Sequence, residues 1–192
     1  GPRVLAGDIR RGQYTRMQSV VWFCDMRDFT QLVETASDDD LFDALHTFFD
    51  AVGTAVESQG GEILKFIGDS VLAIFPYDDE NRAEQACRAA FNAAIDCLES
   101  LDAVNQERLS KGKDNLRCGV ALHRGTVLYG NVGTETRLDF TVLGQTVNLA
   151  NRLESLCAKL GEHLLVTDVV AETLAGSLQS RGTHHLKGVP QA

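Results

Sequence analysis

The chain has 192 residues, which is enough for one domain with a sizeable hydrophobic core. Hydrophobic residues make up 44% of it and charged residues 23%, a composition typical of globular proteins. The formal net charge of -9 argues against nucleic-acid binding, because a protein that binds a phosphate backbone needs a basic face. No apolar stretch approaches the ~20 residues of a membrane-spanning helix, so we expect no membrane contact by this segment.

The cysteines and the chain ends indicate the setting of the domain. The five cysteines include no CxxC pair, which argues against a zinc site or a disulfide framework and favours reduced thiols in the cytoplasm. The chain opens on Gly1 and Pro2, without an initiator Met. We therefore expect an N-terminal segment or linker over 1–16 and one domain over 17–192, cut from a longer protein.

The first half of the chain predicts a strand, a helix and a hairpin. Residues 18–25 are rich in Val and aromatic side chains, as in a buried strand. Apolar residues at helical spacing follow the acidic run 38–40, which the helix dipole favours at an N-terminus, and Gly60 ends this helix. Two short apolar runs, 62–67 and 70–75, are joined by a Gly-Asp pair and predict a tight hairpin.

The second half predicts the remaining strands and helices. Residues 80–100 are Ala-rich and helical, and the polar stretch 102–115 is a loop or helix end. The order strand-helix-strand-strand-helix-strand predicts an α+β, ferredoxin-like fold, in which helices cover one face of a mainly antiparallel sheet. The later predicted segments are strands at 116–123, 126–132, 138–143 and 163–166, helices at 145–160 and 168–175, and a candidate last strand at 183–187.

Two aspartates lie where strands are predicted to end. Asp25 closes the first strand, and Asp69 lies in the hairpin turn. Two such carboxylates can hold a pair of Mg²⁺ ions ~3.5–4 Å apart, the arrangement that displaces a leaving group at phosphorus. The alternative is structural, since Asp is also common in turns and at strand ends. If a helix begins near residue 28, the free backbone N–H groups of Phe29 and Thr30 form a triphosphate cradle; the alternative is an ordinary strand-to-helix turn.

Three further polar residues interrupt apolar segments. Lys65 lies within an apolar strand, where it either points to solvent or donates to a purine ring nitrogen such as adenine N1. Asn148 and Arg152 are four residues apart on a predicted helix and share one face. An Asn that orients a ribose and an Arg that neutralises a developing phosphorane would need this shared face, whereas a solvated helix surface is the alternative.

Three segments together resemble the catalytic domain of the class III adenylyl and guanylyl cyclases. Residues 23–30, FCDMRDFT, resemble the first metal motif of that family, and residues 65–69, KFIGD, resemble its second. Residues 141–152, TVLGQTVNLANR, resemble its ribose and transition-state motif. Three such motifs in order are very specific, and the similarity extends from about residue 17 to residue 188.

The resemblance implies a role for each matching residue. Asp25 and Asp69 match the two aspartates that bind two divalent cations, Mg²⁺ or Mn²⁺. Asn148 matches the ribose-binding asparagine, and Arg152 matches the transition-state arginine. Contacts to the triphosphate are assigned to Lys187, Arg137, Phe29 and Thr30.

Lys65 and Thr141 match the base-selecting pair of the family. Adenylyl cyclases often hold Asp at the second position, and guanylyl cyclases hold Glu and Cys at the two positions. The Lys-Thr combination resembles class IIIb, whose members are often bicarbonate-responsive. A threonine hydroxyl accepts from the adenine amino group, so ATP is the expected substrate and 3′,5′-cyclic AMP the expected product. The alternatives are a guanylate cyclase and a cyclase-like regulatory module that binds nucleotide without turnover.

The family resemblance also implies an assembly. In this family the active site lies between two domains, with the metal aspartates on one subunit and the base, ribose and transition-state residues on the other. Because one chain holds every part, the resemblance implies a symmetric homodimer with two equivalent sites. It further implies a regulatory domain in the full-length protein.

Overall fold

The computed structural model describes residues 14–133, 138–174 and 178–186. The strands are β1 (Tyr14–Met26), β2 (Glu62–Ile67), β3 (Ser70–Tyr77), β4 (Cys118–Gly133), β5 (Leu138–Leu143) and β6 (Leu164–Val166). The helices are α1 (Phe29–Thr35), α2 (Asp38–Ser58), α3 (Glu80–Ser110), α4 (Gln145–Leu160) and α5 (Asp168–Leu174). In these described segments, no helix combines the length and the apolar character needed to cross a bilayer.

One sheet holds all six of these strands. Its order is β2-β3-β1-β4-β5, and β6 runs parallel to β4. The pairs β1–β3, β1–β4 and β2–β3 are antiparallel, so β1 to β4 with α2 and α3 form the ferredoxin-like pattern. The predicted α+β fold with a mainly antiparallel sheet is confirmed.

Local sequence features set the element ends as predicted. The Ser37 hydroxyl accepts a hydrogen bond from the backbone N–H of Asp40 at 3.2 Å, which caps the acidic first turn of α2. Helix α4 ends at Gly161, whose φ of 69° lies in the left-handed region that glycine adopts readily. Gly68, with φ of 62°, makes the turn between β2 and β3.

Helices cover both faces of the sheet, so the prediction of a single covered face was wrong. Val20 and Trp22 of β1 belong to the core beneath α2 and α3. Val21 and Phe23 point to the opposite face, where they share a second core with Ala150 of α4. A buried stripe on a helix shows that it packs on a sheet, but the stripe does not tell which face it covers.

Several predicted boundaries also differ from the structure. β4 is one strand of 16 residues, where the sequence predicted two. Helix α3 continues to Ser110 through part of the predicted loop, and its Asn105 amide donates to the carbonyl of Leu116 at 2.8 Å. β1 already begins at Tyr14, and residues 183–186 form no strand. Residue 187, the last of that predicted strand, lies outside the described residues.

Candidate active site

The sheet brings Asp25 and Asp69 together. Asp25 is paired in register with Ser70, whose hydroxyl donates to the Asp25 carboxylate. The backbone N–H of Met26 donates to the carbonyl of Asp69 at 3.3 Å, which ties the hairpin turn to the end of β1. Burial, and then repulsion from Asp25, raise the pKa of the Asp69 carboxyl above its usual value. The two carboxylates are therefore close enough to repel each other.

The closeness of Asp25 and Asp69 is better explained by a bound divalent cation than by a purely structural role for the two carboxylates. Two partly buried carboxylates that repel each other gain stability when a hard cation neutralises them. Among the described residues, no cluster of three or more His, Cys, Asp or Glu side chains can hold a metal. A cation here would therefore complete its coordination with water and substrate phosphate oxygens, as Mg²⁺ does when one or two carboxylates bind it.

A short turn links the first aspartate to α1. Asp28 has φ of 60° and ψ of 22°, an uncommon conformation for a residue other than glycine. Its carboxylate accepts from Arg117 at 2.6 Å, and the backbone N–H of Arg27 donates to the carbonyl of Arg117 at 2.8 Å. The helix starts directly afterwards at Phe29, so the condition set for the phosphate cradle, a helix that begins near residue 28, is met. The N–H groups of Phe29 and Thr30 lie in its first turn, where they have no intrahelical acceptor.

Lys65 lies on β2 and pairs with Asp139 of β5, not with Thr141. Side chains alternate along a strand, so Asp139 and Thr141 point to the same side of β5. Lys65 itself is 38% exposed and Asp139 is 55% exposed, which leaves the lysine accessible to a ligand. The sequence analysis assigned Lys65 and Thr141 as the base-selecting pair, but nothing in the sequence singled out Asp139.

Asn148 and Arg152 lie on the outer face of α4. The residues of α4 that are buried in this chain are Thr146, Ala150, Leu153, Glu154 and Cys157. At 3.6 residues per turn, Asn148 and Arg152 project roughly opposite to that buried face. Asn148 is exposed and Arg152 is half-buried. This geometry turns both side chains away from the sheet that carries Asp25.

Two of the predicted phosphate contacts, Arg137 and Lys187, lie outside the described residues.

A contact that sequence reasoning missed joins the turn after β1 to α4. The guanidinium of Arg27 donates to the carboxylate of Glu154 at 2.6 Å. Glu154 is only 5% exposed, although it is a charged residue just beyond the 141–152 motif. A long-range pair of this kind leaves no local sequence pattern.

Comparison with known proteins places the chain in a family. Residues 13–192 match the model of the adenylate and guanylate cyclase catalytic domain, and the chain belongs to this family. It is 36% identical over 172 residues to an adenylate cyclase of Anabaena cylindrica, covering 88% of the chain and 33% of the relative. It is 34% identical to adenylate cyclase 1 of Rhizobium meliloti, covering 90% of the chain and 26% of the relative. The chain thus spans a third or less of these relatives.

Solved structures agree with this assignment. The adenylyl cyclase CyaB from P. aeruginosa superposes with a TM-score of 0.83 at 26% identity, covering 93% of this chain and 92% of that one. The guanylyl cyclase Cya2 superposes with a TM-score of 0.78 at 25% identity, covering 92% and 89%. Class III cyclases use divalent metal ions, which is the chemistry that the Asp25–Asp69 pair fits.

Proposed function

We propose that the chain is the catalytic domain of an adenylate cyclase, which converts ATP into 3′,5′-cyclic AMP and pyrophosphate. The observation that carries the proposal is the convergence of Asp25 and Asp69 at neighbouring strand ends. The curated relatives named adenylate cyclase support ATP as the substrate. Because a guanylyl cyclase is also structurally similar, the base preference has to be measured directly.

In this proposal Asp25 and Asp69 hold two divalent cations, Mg²⁺ or Mn²⁺. When bound, such cations lower the pKa of the ribose 3′-hydroxyl and neutralise charge on the triphosphate. The first amides of α1, from Phe29 and Thr30, donate to phosphate oxygens. Arg137 and Lys187 are assigned further triphosphate contacts from the family motif alone.

The outer face of α4 supplies the ribose and transition-state groups, and β2 and β5 supply the groups that contact the base. Asn148 orients the ribose, so that its 3′-hydroxyl faces the α-phosphorus, and Arg152 stabilises the charge that develops on the α-phosphate. Lys65 donates to adenine N1, and the Thr141 hydroxyl accepts from the adenine amino group. Asp139, which pairs with Lys65 in the structure, holds that lysine at the side of β5 that carries Thr141.

The orientation of α4 supports a symmetric homodimer. Asn148 and Arg152 face away from their own sheet, so they reach a nucleotide more readily on a partner subunit. A two-fold axis would then build two equivalent sites from one chain. The five free, buried cysteines support a reducing, cytoplasmic setting. A regulatory domain elsewhere in the full-length protein is part of the proposal, because the named relatives are much longer than this chain.

Cyclic nucleotide synthesis by the purified domain tests the proposal. ATP and GTP are compared with Mg²⁺ and with Mn²⁺. Asp102→Asn, on the exposed surface of α3, serves as the charge-matched control for the metal-site variant Asp69→Asn. We expect cyclic AMP from ATP and little product from GTP. Preferential synthesis of cyclic GMP would make the domain a guanylate cyclase. ATP binding without any product would make it a regulatory module.

A double substitution tests the base assignment. Lys65→Glu with Thr141→Cys introduces the base-selecting pair of guanylyl cyclases. The variant then lacks the proposed hydrogen bonds to adenine N1 and to the adenine amino group. We expect kcat/KM for ATP to fall and the ratio of GTP to ATP use to rise. Unchanged ATP preference in the folded double variant would show that these two residues do not read the base.

A further inference from the structure

A buried ion pair joins the turn after β1 to the inner face of α4. The Arg27 Nη1 atom lies 2.6 Å from the Glu154 Oε1 atom, and the two side chains are 16% and 6% exposed. Removing two charges from water is costly, and a buried pair is often no more stable than two well-packed apolar side chains. Stability alone therefore does not account for this pair.

The central strand makes room for the pair. Gly119 of β4 lies beneath it, and a Cβ atom at this position would lie 1.7 Å from Arg27 Nη2 and 2.9 Å from Glu154 Oε1. Any larger residue would have to displace the guanidinium. The guanidinium thus lies in a slot between β4 and α4, where the absence of a side chain at Gly119 leaves room for it and Glu154 holds it from the α4 side.

The pair also lies next to the metal aspartates. Asp25 is two residues before Arg27, and the N–H of Met26, between them, bonds the carbonyl of Asp69. Burial raises the pKa of the Glu154 carboxyl, the Arg27 charge opposes this rise, and the Asp25 charge adds to it. The Glu154 carboxylate therefore lies within electrostatic reach of Asp25.

Helix α4 carries functional groups on its other side. Glu154 lies on the buried face, and Asn148 and Arg152 lie on the outer face. We propose that the Arg27–Glu154 pair is a positioning pair, which fixes α4 against the turn that directly follows Asp25 and the end of β1. One contact then sets the geometry of the chain's own metal aspartates and of the groups that it lends to the second site. This inference rests on the proposed cyclase function and on its shared sites.

Replacing both partners by apolar residues tests the pair without leaving a buried charge. In Arg27→Met/Glu154→Leu the volume is retained, so the thermal midpoint should stay within a few degrees of the parent. We expect kcat to fall ~10–100-fold, as for other groups that orient metal ligands. KM for ATP should change less than threefold, and half-maximal activity should need more Mg²⁺. An unchanged kcat and metal requirement would overturn the proposal.

Two further variants separate positioning from general damage. Arg124→Met/Glu80→Leu removes an ion pair of similar length, 2.8 Å, between β4 and α3, whose side chains are more exposed at 24% and 71%, and it should leave kcat unchanged. Glu154→Gln keeps an oxygen that accepts from Arg27, so it should retain more activity than the apolar pair. It also keeps the test valid if the apolar pair does not fold. Equal losses in the Arg124–Glu80 variant would assign the effect to stability and overturn the inference.

Mixed dimers show which of the two shared sites loses activity when the Arg27–Glu154 pair is removed from one chain. When Asp69→Ala and Arg152→Ala chains combine, the one intact site takes its metal aspartates from the Arg152→Ala chain and its arginine from the other. Adding Arg27→Met/Glu154→Leu to either chain should lower the restored activity. A loss confined to one placement would overturn the claim that the pair serves both sites.

Hydrogen exchange tests the pair even if the domain makes no product. Compared with the Arg124–Glu80 control, the apolar variant should exchange the amides of residues 26–32 and of α4 at least severalfold faster, because the contact between them is lost. Equal protection would contradict the positioning role. A parent domain without product, but with this exchange difference, would contradict only the cyclase proposal.

Discussion

The ionised Asp69 carboxylate has opposite effects on function and on stability: the proposed metal site needs it, and the metal-free fold is destabilised by it. It is a proposed metal ligand, and its pKa is raised by burial and by the charge of Asp25. When a folded-state pKa is raised, the ionised group destabilises the fold. That cost is absent below the ordinary value of 3.8 and grows as the pH rises through the raised value.

Asp69→Asn should therefore separate activity from stability. We expect cyclic AMP synthesis to fall at least ~100-fold, since even outer-shell partners of metal ligands are worth 10–100-fold. Without metal at pH 7, the thermal midpoint should equal or exceed that of the parent, and the gain should shrink toward pH 4. Near-normal synthesis by the folded variant would contradict the metal assignment.

The buried side chain of His123 leads us to expect a second pH effect, on the stability of the fold. Burial lowers the pKa of its imidazole to about 4, with Asp168 opposing and Arg124 adding to the shift. The unfolded chain binds a proton near the ordinary value of 6.5, while the folded chain stays neutral. Stability is therefore complete above that value and is lost as the pH falls from it through about 4.

The test is the pH dependence of unfolding for the parent and His123→Gln. Between pH 6.5 and about 4, the parent should lose up to about 1.4 kcal/mol more per pH unit than the variant, which has no proton to gain. The exposed His46→Gln variant should follow the parent. Identical slopes for the parent and His123→Gln would show that the histidine titrates normally in the fold.

At the scale of elements, β4 shows where sequence reasoning succeeds and where it stops. The sequence predicted two strands here, 116–123 and 126–132, with a break at Arg124 and Gly125. In the structure the strand continues. Arg124 pairs with Glu80 at 2.8 Å, and Gly125 makes room for α4 instead of a turn. These partners are distant in sequence, so no local pattern reveals them.

Elements with strong local features were predicted well. The hairpin between β2 and β3 has its Gly-Asp turn, and α2 has its acidic first turn. The predicted site residues Asp25 and Asp69 are brought together, because both lie at the ends of paired strands. The ion partners Asp139 and Glu154 were not predicted, since each lies on an element remote in sequence from the lysine or arginine that it binds.

The close approach of α4 to β4 gives a prediction for this element. A Cβ atom at Gly125 would lie 2.8 Å from the Thr146 Oγ1 atom and 3.2 Å from its Cγ2 atom. Gly125→Ala should push the start of α4 outward, reduce stability by ~1–3 kcal/mol and lower kcat ~10-fold or more, because Asn148 moves with the helix.

Adding Thr146→Ala should relieve this clash. It removes both close atoms and leaves only the Cβ atom, at 3.6 Å, so most of the lost activity should return. Gly53→Ala is the matched control, since its Cβ would meet only Ile63 Cδ1 at 3.7 Å. If the second substitution fails to restore kcat in a folded protein, the position of α4 is not what Gly125 protects.

At the scale of the whole molecule, the outward face of α4 predicts complementation between subunits. Asp69→Ala and Arg152→Ala homodimers should each be inactive, because every site lacks one group. In the heterodimer one site collects both defects and the other has none. Activity should return up to one working site per heterodimer, measured as cyclic AMP synthesis after subunit exchange.

Mass spectrometry of differently tagged chains would verify that heterodimers have formed. Persistent inactivity in verified heterodimers would show that the aspartate and the arginine act within one chain. The dimeric site would then be wrong, while the cyclase chemistry would still stand on the ATP assay.

The pairing of β1 with β4 also determines when the domain can finish folding during synthesis. Residues 14–26 pair with residues 118–130, so the ribosome must add most of the domain before this edge of β1 is covered. At ~5–20 residues per second this delay lasts on the order of ten seconds. During it, the open edge beside Val20, Val21 and Trp22 is a template for pairing with other chains. Nascent chains that stall before β4 should therefore be strong clients for chaperones, whereas released full-length chains should not.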